Sequence, residues 1–339
     1  MNKITHALIL PFTIILLLPS CRPTPDPILK IGLVSGFGGF HDRGFNQNIL
    51  DGYLLAKDQY SFFGETREII TEAEIGTNID NFLSAGFNLI ITAGFNAAQA
   101  TIDAAKAHPE TDFLILDYAV ENPPANLLCV LFDVDESSFP CGFLAAYWAN
   151  RQDPLHPVAG FVAGPAIPEI RQFSDSYTHG IEYFNQKYHK DVRWEGYFAN
   201  SFADTLQGAI LADSLLRQNA SVIFAFAGKT GNGALYKVKE AGKWAIGVDV
   251  DQYISIPEVG PVLLTSCVKL LNSTVYSILV SYFNETFAGG QIMHYNLNNN
   301  GVGMAPLHDF KAAIPDSIEM ELVAIEAGIK KGEISTGWK

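Results

Sequence analysis

The stretch "GFGGFHDRGFNQNILDGY", residues 36–53, follows the apolar run Ile31–Val34 and leads into a segment with helical periodicity. Such a turn can cradle a cofactor phosphate or present side chains to a small ligand. The residues at comparable turns argue for the second. Gly36-Phe37, Gly94-Phe95, Asp117-Tyr118, Gly228 and Asp249 each follow or close an apolar run. These turns supply aromatics and carboxylates, and Asn46 adds an amide. Aromatic faces stack on a flat ring, carboxylates accept hydrogen bonds from sugar hydroxyls, and an amide pairs with donor and acceptor edges. The mixture suits a neutral ligand with a flat part and a polyol part.

The phosphate motifs fail. A dinucleotide fingerprint needs G-x-G-x-x-G after the first strand, and here Gly36-Phe37-Gly38 is followed by His41 at the third glycine position. A P-loop around Gly228-Lys229-Thr230 needs a glycine where Ile223 stands. There is no H-E-x-x-H, and the eight histidines show no ligand spacing, so no metal site is expected. A nucleophile elbow around Ser35 would need glycines where Leu33 and Phe37 stand. His41 reads as an exposed loop residue. Nothing assembles a nucleophile, a base and an orienting group, and no cofactor is implied.

The elements that must carry these turns alternate along the chain. Strand-like runs cover Lys30–Ser35, Glu68–Glu72, Asn88–Ala93, Phe113–Asp117 and Leu127–Phe132, then Pro157–Val162, Arg193–Phe198, Ser221–Ala225, Trp244–Asp249 and Val262–Val268. Amphipathic segments lie between them: 45–60, 97–107, 137–149, 170–188, 204–216 and 232–241. Apolar strands separated by helices imply parallel sheets buried on both faces. Ten strands in 339 residues fit two doubly wound α/β units better than one. In such sheets ligands bind beyond the carboxyl ends of the strands, where these turns lie. Hydrophobic residues make up 48% of the chain, consistent with two well-buried cores. With 22 Lys and Arg against 36 Asp and Glu, the chain is a poor match for a nucleic-acid backbone, which needs clustered basic residues.

Near the N-terminus, Lys3 precedes the uncharged stretch 7–20, which ends at Leu18-Pro19-Ser20-Cys21 and is followed by "RPTPDP". The stretch is shorter than the roughly 20 residues of a membrane span and fits the apolar core of an export signal. Small residues before a cysteine resemble the lipobox of bacterial lipoproteins, with Pro19 a departure from it. The expectation is a signal peptide over 1–20, lipidation at Cys21 and a proline-rich tether over 21–28. Cys129, Cys141 and Cys267 form no dense disulfide framework and are expected as buried thiols, a Cys129–Cys141 pair being left open.

From about Lys30 to Trp338 the chain resembles the Bmp family, the PnrA-like substrate-binding lipoproteins of ABC importers that bind purine nucleosides. The resemblance is carried by "GLVSGFGGFHDRGFNQ", "FLILDY", "ESSFPCGFLAA", "GFVAGPAIPEIRQF", "NSFADTLQG", "GKTGNGALYKVKEAG", "IGVDVDQ" and "LLTSCVK", in that order. It implies a type I periplasmic-binding fold, two hinged α/β lobes closing over the ligand. The lobes are expected over 29–134 plus about 270–290, and over 135–269 plus about 291–339. By motif, Phe45 and Asn46 would stack on and hydrogen-bond the base. Asp117, Asp249 and Lys269 would hold the ribose. Phe202, or else Phe173, would be the opposing aromatic, and Gly228 and Gly231 would let backbone approach the ligand. Lys269 lies in an apolar run where an unpaired amine is costly, and Asp249 is its expected partner. Each residue also has a plainer reading: Phe45 and Phe173 as core, and the two aspartates as helix caps.

Where the family usually has an aspartate, this chain has Gly36, which leaves the base open. A purine nucleoside is the implied ligand class; another nucleoside or heterocycle is the alternative. The implied partners are a permease and an ATPase, with a monomeric binding protein held at the cell membrane by its lipid, facing the periplasm or exterior. A nucleoside-processing enzyme and a ligand sensor are the competing readings.

Overall fold

A computed structural model describes residues 28–338. The chain runs β1 (Lys30–Val34), α1 (Phe45–Gln59), β2 (Phe63–Arg67), α2 (Ala73–Ser84), β3 (Leu89–Ala93), α3 (Ala98–Ala107), β4 (Asp112–Leu116) and β5 (Leu127–Phe132). It continues through α4 (Asp135–Gln152), β6 (Val158–Ala163), α5 (Pro168–Tyr188), β7 (Arg193–Phe198), α6 (Thr205–Arg217), β8 (Val222–Phe226), α7 (Gly228–Glu240) and β9 (Trp244–Asp249). The last elements are α8 (Gln252–Ser255), β10 (Leu263–Lys269), α9 (Leu271–Phe283), β11 (Ile292–Tyr295), β12 (Val302–Met304) and α10 (Asp316–Lys330).

The strands form two six-stranded sheets with matching orders, β11-β5-β4-β3-β1-β2 and β12-β10-β9-β8-β6-β7. All pairings are parallel except β10 with β12. The central strands are buried along their whole length, as β3, β6, β8 and β10 show, because helices cover both faces. One apolar cluster packs α2 and α3 on the first sheet, and another packs α6 and α7 on the second. The largest cluster runs through both lobes by way of α1, α4, α5, α9 and α10. In each sheet the strand order reverses beside its first strand, the switch point where a crevice opens.

The sequence expectations for the central strands agree with these elements to within a residue. The edges differ. The second strand is Phe63–Arg67 and not Glu68–Glu72; it pairs only with β1 and is mostly exposed, so it carries no apolar run. Ile69 and Ile70 follow it, the first buried and the second 86% exposed. The lobe boundary at about 291 also differs: Ile292–Tyr295 pairs in parallel with β5 and completes the first sheet. This short strand is exposed over three of its four residues, so burial left no pattern in its sequence. β12 then completes the second sheet. The chain therefore crosses between sheets three times, after β5, after β10 and between β11 and β12. Cys129, Cys141 and Cys267 are buried free thiols.

Candidate functional site

Between the two lobes, at the carboxyl ends of both sheets, lies a cleft of about 720 Å³ counting its open mouth. Eight of the nine residues expected at the ligand line it: Phe45, Asn46, Asp117, Phe173, Phe202, Gly228, Asp249 and Lys269. The charged group at its floor is built from three strand ends. Asp117 follows β4, Asp249 closes β9, and Lys269 closes β10. The two aspartates occupy equivalent places in the two sheet orders, and both have left-handed backbone, with φ of 60° and 65°. Few side chains other than Asp and Asn tolerate that conformation.

Lys269 is 4% exposed. Its Nζ donates to Asp117 Oδ2 at 2.6 Å and lies 3.9 Å from Asp249 Oδ1. Asp249, on the neighbouring strand, is thus the looser partner, and the close one reaches across from the first lobe. Burial alone would lower the Lys269 ammonium, but the two carboxylates more than offset it and its pKa is raised. Asp249 is pushed up to about 6, chiefly by burial, with Lys269 opposing and Asp117 adding to the shift. The Lys269 ammonium also sits 5.4 Å from the centre of the Phe45 ring and 5.2 Å from that of Phe173, in reach of cation–π attraction.

The aromatic walls come from both lobes. Phe37, Phe45 and Phe95 line the cleft from the first lobe; Phe173, Phe202 and Phe226 line it from the second. Phe202 is half-buried and faces Phe95, with ring centres 6.5 Å apart. Phe173 is 2% exposed and stacks on Phe226 at 5.4 Å, so it supports the wall more than it offers a free face. The turn bearing Phe202 is held by Thr230, whose Oγ1 donates to the Ser201 carbonyl and accepts from the Asp204 amide. Gly228, with φ of 55°, begins α7 beneath it; a Cβ there would meet the Phe202 carbonyl oxygen at 3.0 Å. The failed P-loop match therefore has a job of its own. Gly231, expected at the ligand, does not line the cleft; a Cβ there would meet the Ala225 carbonyl at 3.2 Å, so it serves close packing of α7 on β8.

Asn46 needs a larger correction. Its Oδ1 accepts from the Gly36 amide at 2.7 Å, and its Nδ2 donates to the Phe37 carbonyl at 2.8 Å and to Asp42 Oδ2 at 2.9 Å. Only this amide orientation matches all three partners. Both N–H groups are therefore used within the turn, and Asn46 has no free donor for a base. Asp42 accepts from the amides of Gly44, Asn46 and Gln47 and thereby caps α1. Gly36 packs against the Asn46 amide, where a Cβ would come within 3.0 Å of its oxygen. Together these bonds fix the turn that presents Phe37 and Phe45. Phe37 and Phe95 were within reach of the strand-end rule; Asn96 and Glu169, also in the lining, carried no sequence signal.

Across the mouth, Asn232 Nδ2 donates to the Asp42 carbonyl at 3.0 Å, Ser255 Oγ to the Arg43 carbonyl at 2.9 Å, and Arg43 pairs with Glu258 at 3.0 Å. The last pair is about half exposed and contributes little by itself. Among the described residues, no group of three or more His, Cys, Asp or Glu side chains converges to hold a metal ion. None of the described helices is long and apolar enough to cross a membrane.

Comparison with known proteins agrees with the two-lobed fold. The family described as "ABC transporter substrate-binding protein PnrA-like" matches residues 29–336. The chain is 27% identical to "Basic membrane protein A1" of Borrelia garinii subsp. bavariensis, over 98% of this chain and 96% of that protein. It is 27% identical to the "ABC transporter nucleoside-binding protein BmpA" of Lactococcus lactis subsp. cremoris, over 86% of this chain and 85% of that one. Among solved structures, an ABC transporter solute-binding protein from Aeropyrum pernix K1 superimposes with a TM-score of 0.84 at 22% identity. That match covers 91% of this chain and 92% of the other, and shows the shared fold.

Proposed function

The chain belongs to the Bmp family of PnrA-like ABC transporter substrate-binding proteins, and from that premise we propose that it captures a purine nucleoside in the interlobe cleft for import. The observation that carries this reading is the pairing of aromatic walls with a buried Asp117–Lys269–Asp249 group in one cleft. The base stacks between Phe45 and Phe202, and the ribose hydroxyls meet the charged group, where Asp249 lacks a close partner. Asn46 acts through the turn it organises. Four carboxylates line the cleft, from Asp42, Asp117, Glu169 and Asp249, against the single Lys269 ammonium. That balance favours an uncharged ligand over a phosphorylated one. The nucleoside is bound and passed on unchanged, to a permease and its ATPase, by a monomer whose lobes hinge on the three crossing segments. A thermal-shift screen of nucleosides, bases, sugars and nucleotides tests the reading, because a ligand that binds only the folded state raises the midpoint. Purine nucleosides should give the largest shift; a shift with sugars alone, or with none of the four classes, would refute it.

The anchor completes the proposal. Residues 1–20 act as the export signal, Cys21 is lipidated, and 21–28 tether the first lobe to the outer face of the cell membrane. Cys21 and the signal lie outside the described residues. The name of the Borrelia relative, a basic membrane protein, supports a membrane location. Cys21→Ala should move the protein from the membrane pellet to the soluble fraction, since the acyl chains on one cysteine supply the anchorage. A mutant that still pellets with membranes would remove the lipid anchor from this account.

A further inference from the structure

Glu169 stands in the first turn of α5 and lines the cleft from the second lobe. It is half-buried, and among the described residues no residue other than Glu169 itself, through its own amide, donates to its carboxylate. Of the other charged groups of the cleft, all but Asp249 have a close partner within the protein. Asp42 caps α1, and Asp117 and Lys269 hold each other, with Asp249 near the same ammonium. Glu169 shares the cleft lining with Asp117 and Lys269; burial raises its carboxyl, with Asp117 adding to the rise and Lys269 opposing it. A carboxylate losing water beside a like charge is costly unless a donor replaces the water. A ligand that fills the cleft must bring that donor.

We propose that Glu169 is a specificity residue of the cleft, its carboxylate accepting a hydrogen bond from one hydroxyl of the ligand's sugar. The inference rests on the nucleoside reading above. It adds a carboxylate from α5 to the strand-end pair Asp117 and Asp249, so that the second lobe meets the ribose through two elements. Glu169→Gln keeps the shape and one acceptor oxygen and removes the charge that strengthens the bond.

Calorimetric titration of wild-type and Glu169→Gln protein with inosine and its 2′-, 3′- and 5′-deoxy analogues makes the test. Inosine should bind the variant about five- to tenfold more weakly, the scale of one charge-assisted hydrogen bond. For one of the three deoxy analogues the two proteins should bind equally, because the hydroxyl that Glu169 meets is then missing; the other two should show the full loss. Equal affinity of both proteins for inosine would overturn the assignment, and so would the same loss with all three analogues, which would mark a structural effect. Unfolding midpoints of the two proteins, measured alongside, keep a folding defect from passing as a binding one. Where the wild type binds guanosine or adenosine in place of inosine, that nucleoside and its deoxy analogues serve in the same titration; if it binds none of the three, the nucleoside reading falls and this inference with it, an outcome distinct from a wild type that binds and a variant that does not differ.

Discussion

Replacing Lys269 by methionine should cost about 3–5 kcal/mol of stability at neutral pH, the scale of leaving a buried charge without its partner. The loss has a specific cause, since Asp117 and Asp249 would then face each other across a buried site with no cation between them. Two results follow. Adding Asp117→Asn to Lys269→Met should recover part of the loss, because one of the stranded charges is gone. Acid should also help the single variant. Burial already raises the Asp249 carboxyl and Lys269 opposes that rise, so without the ammonium the folded state takes up a proton there more readily than the unfolded chain and stability rises as pH falls toward 5. Urea unfolding of the wild type, the single and the double variant at two pH values measures all of this. A double variant less stable than the single one would mean that Lys269 stabilises the lobe by packing alone. Ligand binding should disappear in the single variant in either case.

Asp249→Asn should have effects of opposite sign on stability and on binding. The folded-state pKa of Asp249 is raised to about 6, chiefly by burial. For a carboxylic acid this means that stability is fullest below the unfolded value near 4 and is lost as pH rises through about 6. Asparagine mimics the neutral acid and tolerates the left-handed backbone at this position. The variant should therefore be more stable than the wild type at pH 7.5, by on the order of 1–3 kcal/mol, with the difference vanishing near pH 4. Its affinity for a nucleoside should fall about tenfold, from the loss of one charge-assisted hydrogen bond. Midpoints across the pH range and one calorimetric titration give both quantities. A variant less stable at pH 7.5 would show that attraction to Lys269 outweighs the burial of Asp249. The site would then carry no stored cost for the ligand to relieve.

How much of this was legible before the structure depends on burial. The central strands announce themselves because helices cover both faces and nearly every residue is apolar. The edge strands β2 and β11 are exposed, and their sequences read as loop. The same contrast runs through the site. Asp117, Asp249 and Lys269 end buried strands, so the doubly wound rule put them at the ligand end. Which aspartate Lys269 grips was not legible, because the sheet puts Asp249 on the adjoining strand while Asp117 arrives from the other lobe, 152 positions away in sequence. Asn46 lines the cleft, but no spacing reveals that its amide is consumed by Gly36, Phe37 and Asp42. Glu169 carries no pattern at all, since one acidic residue in a first helical turn is ordinary helix chemistry.

The central claim is that the cleft reads a flat ring and a polyol together. The most direct measurement is a calorimetric titration of the purified protein with inosine, guanosine and adenosine, beside hypoxanthine and ribose as halves of the first. At least one of the three nucleosides should bind one to one, and each half should bind at least about tenfold more weakly than its parent, because it leaves either the aromatic walls or the charged floor unoccupied. A free base that binds as tightly as its nucleoside would contradict the role given to Asp117, Asp249 and Lys269, and the absence of binding by all three nucleosides would contradict the account as a whole.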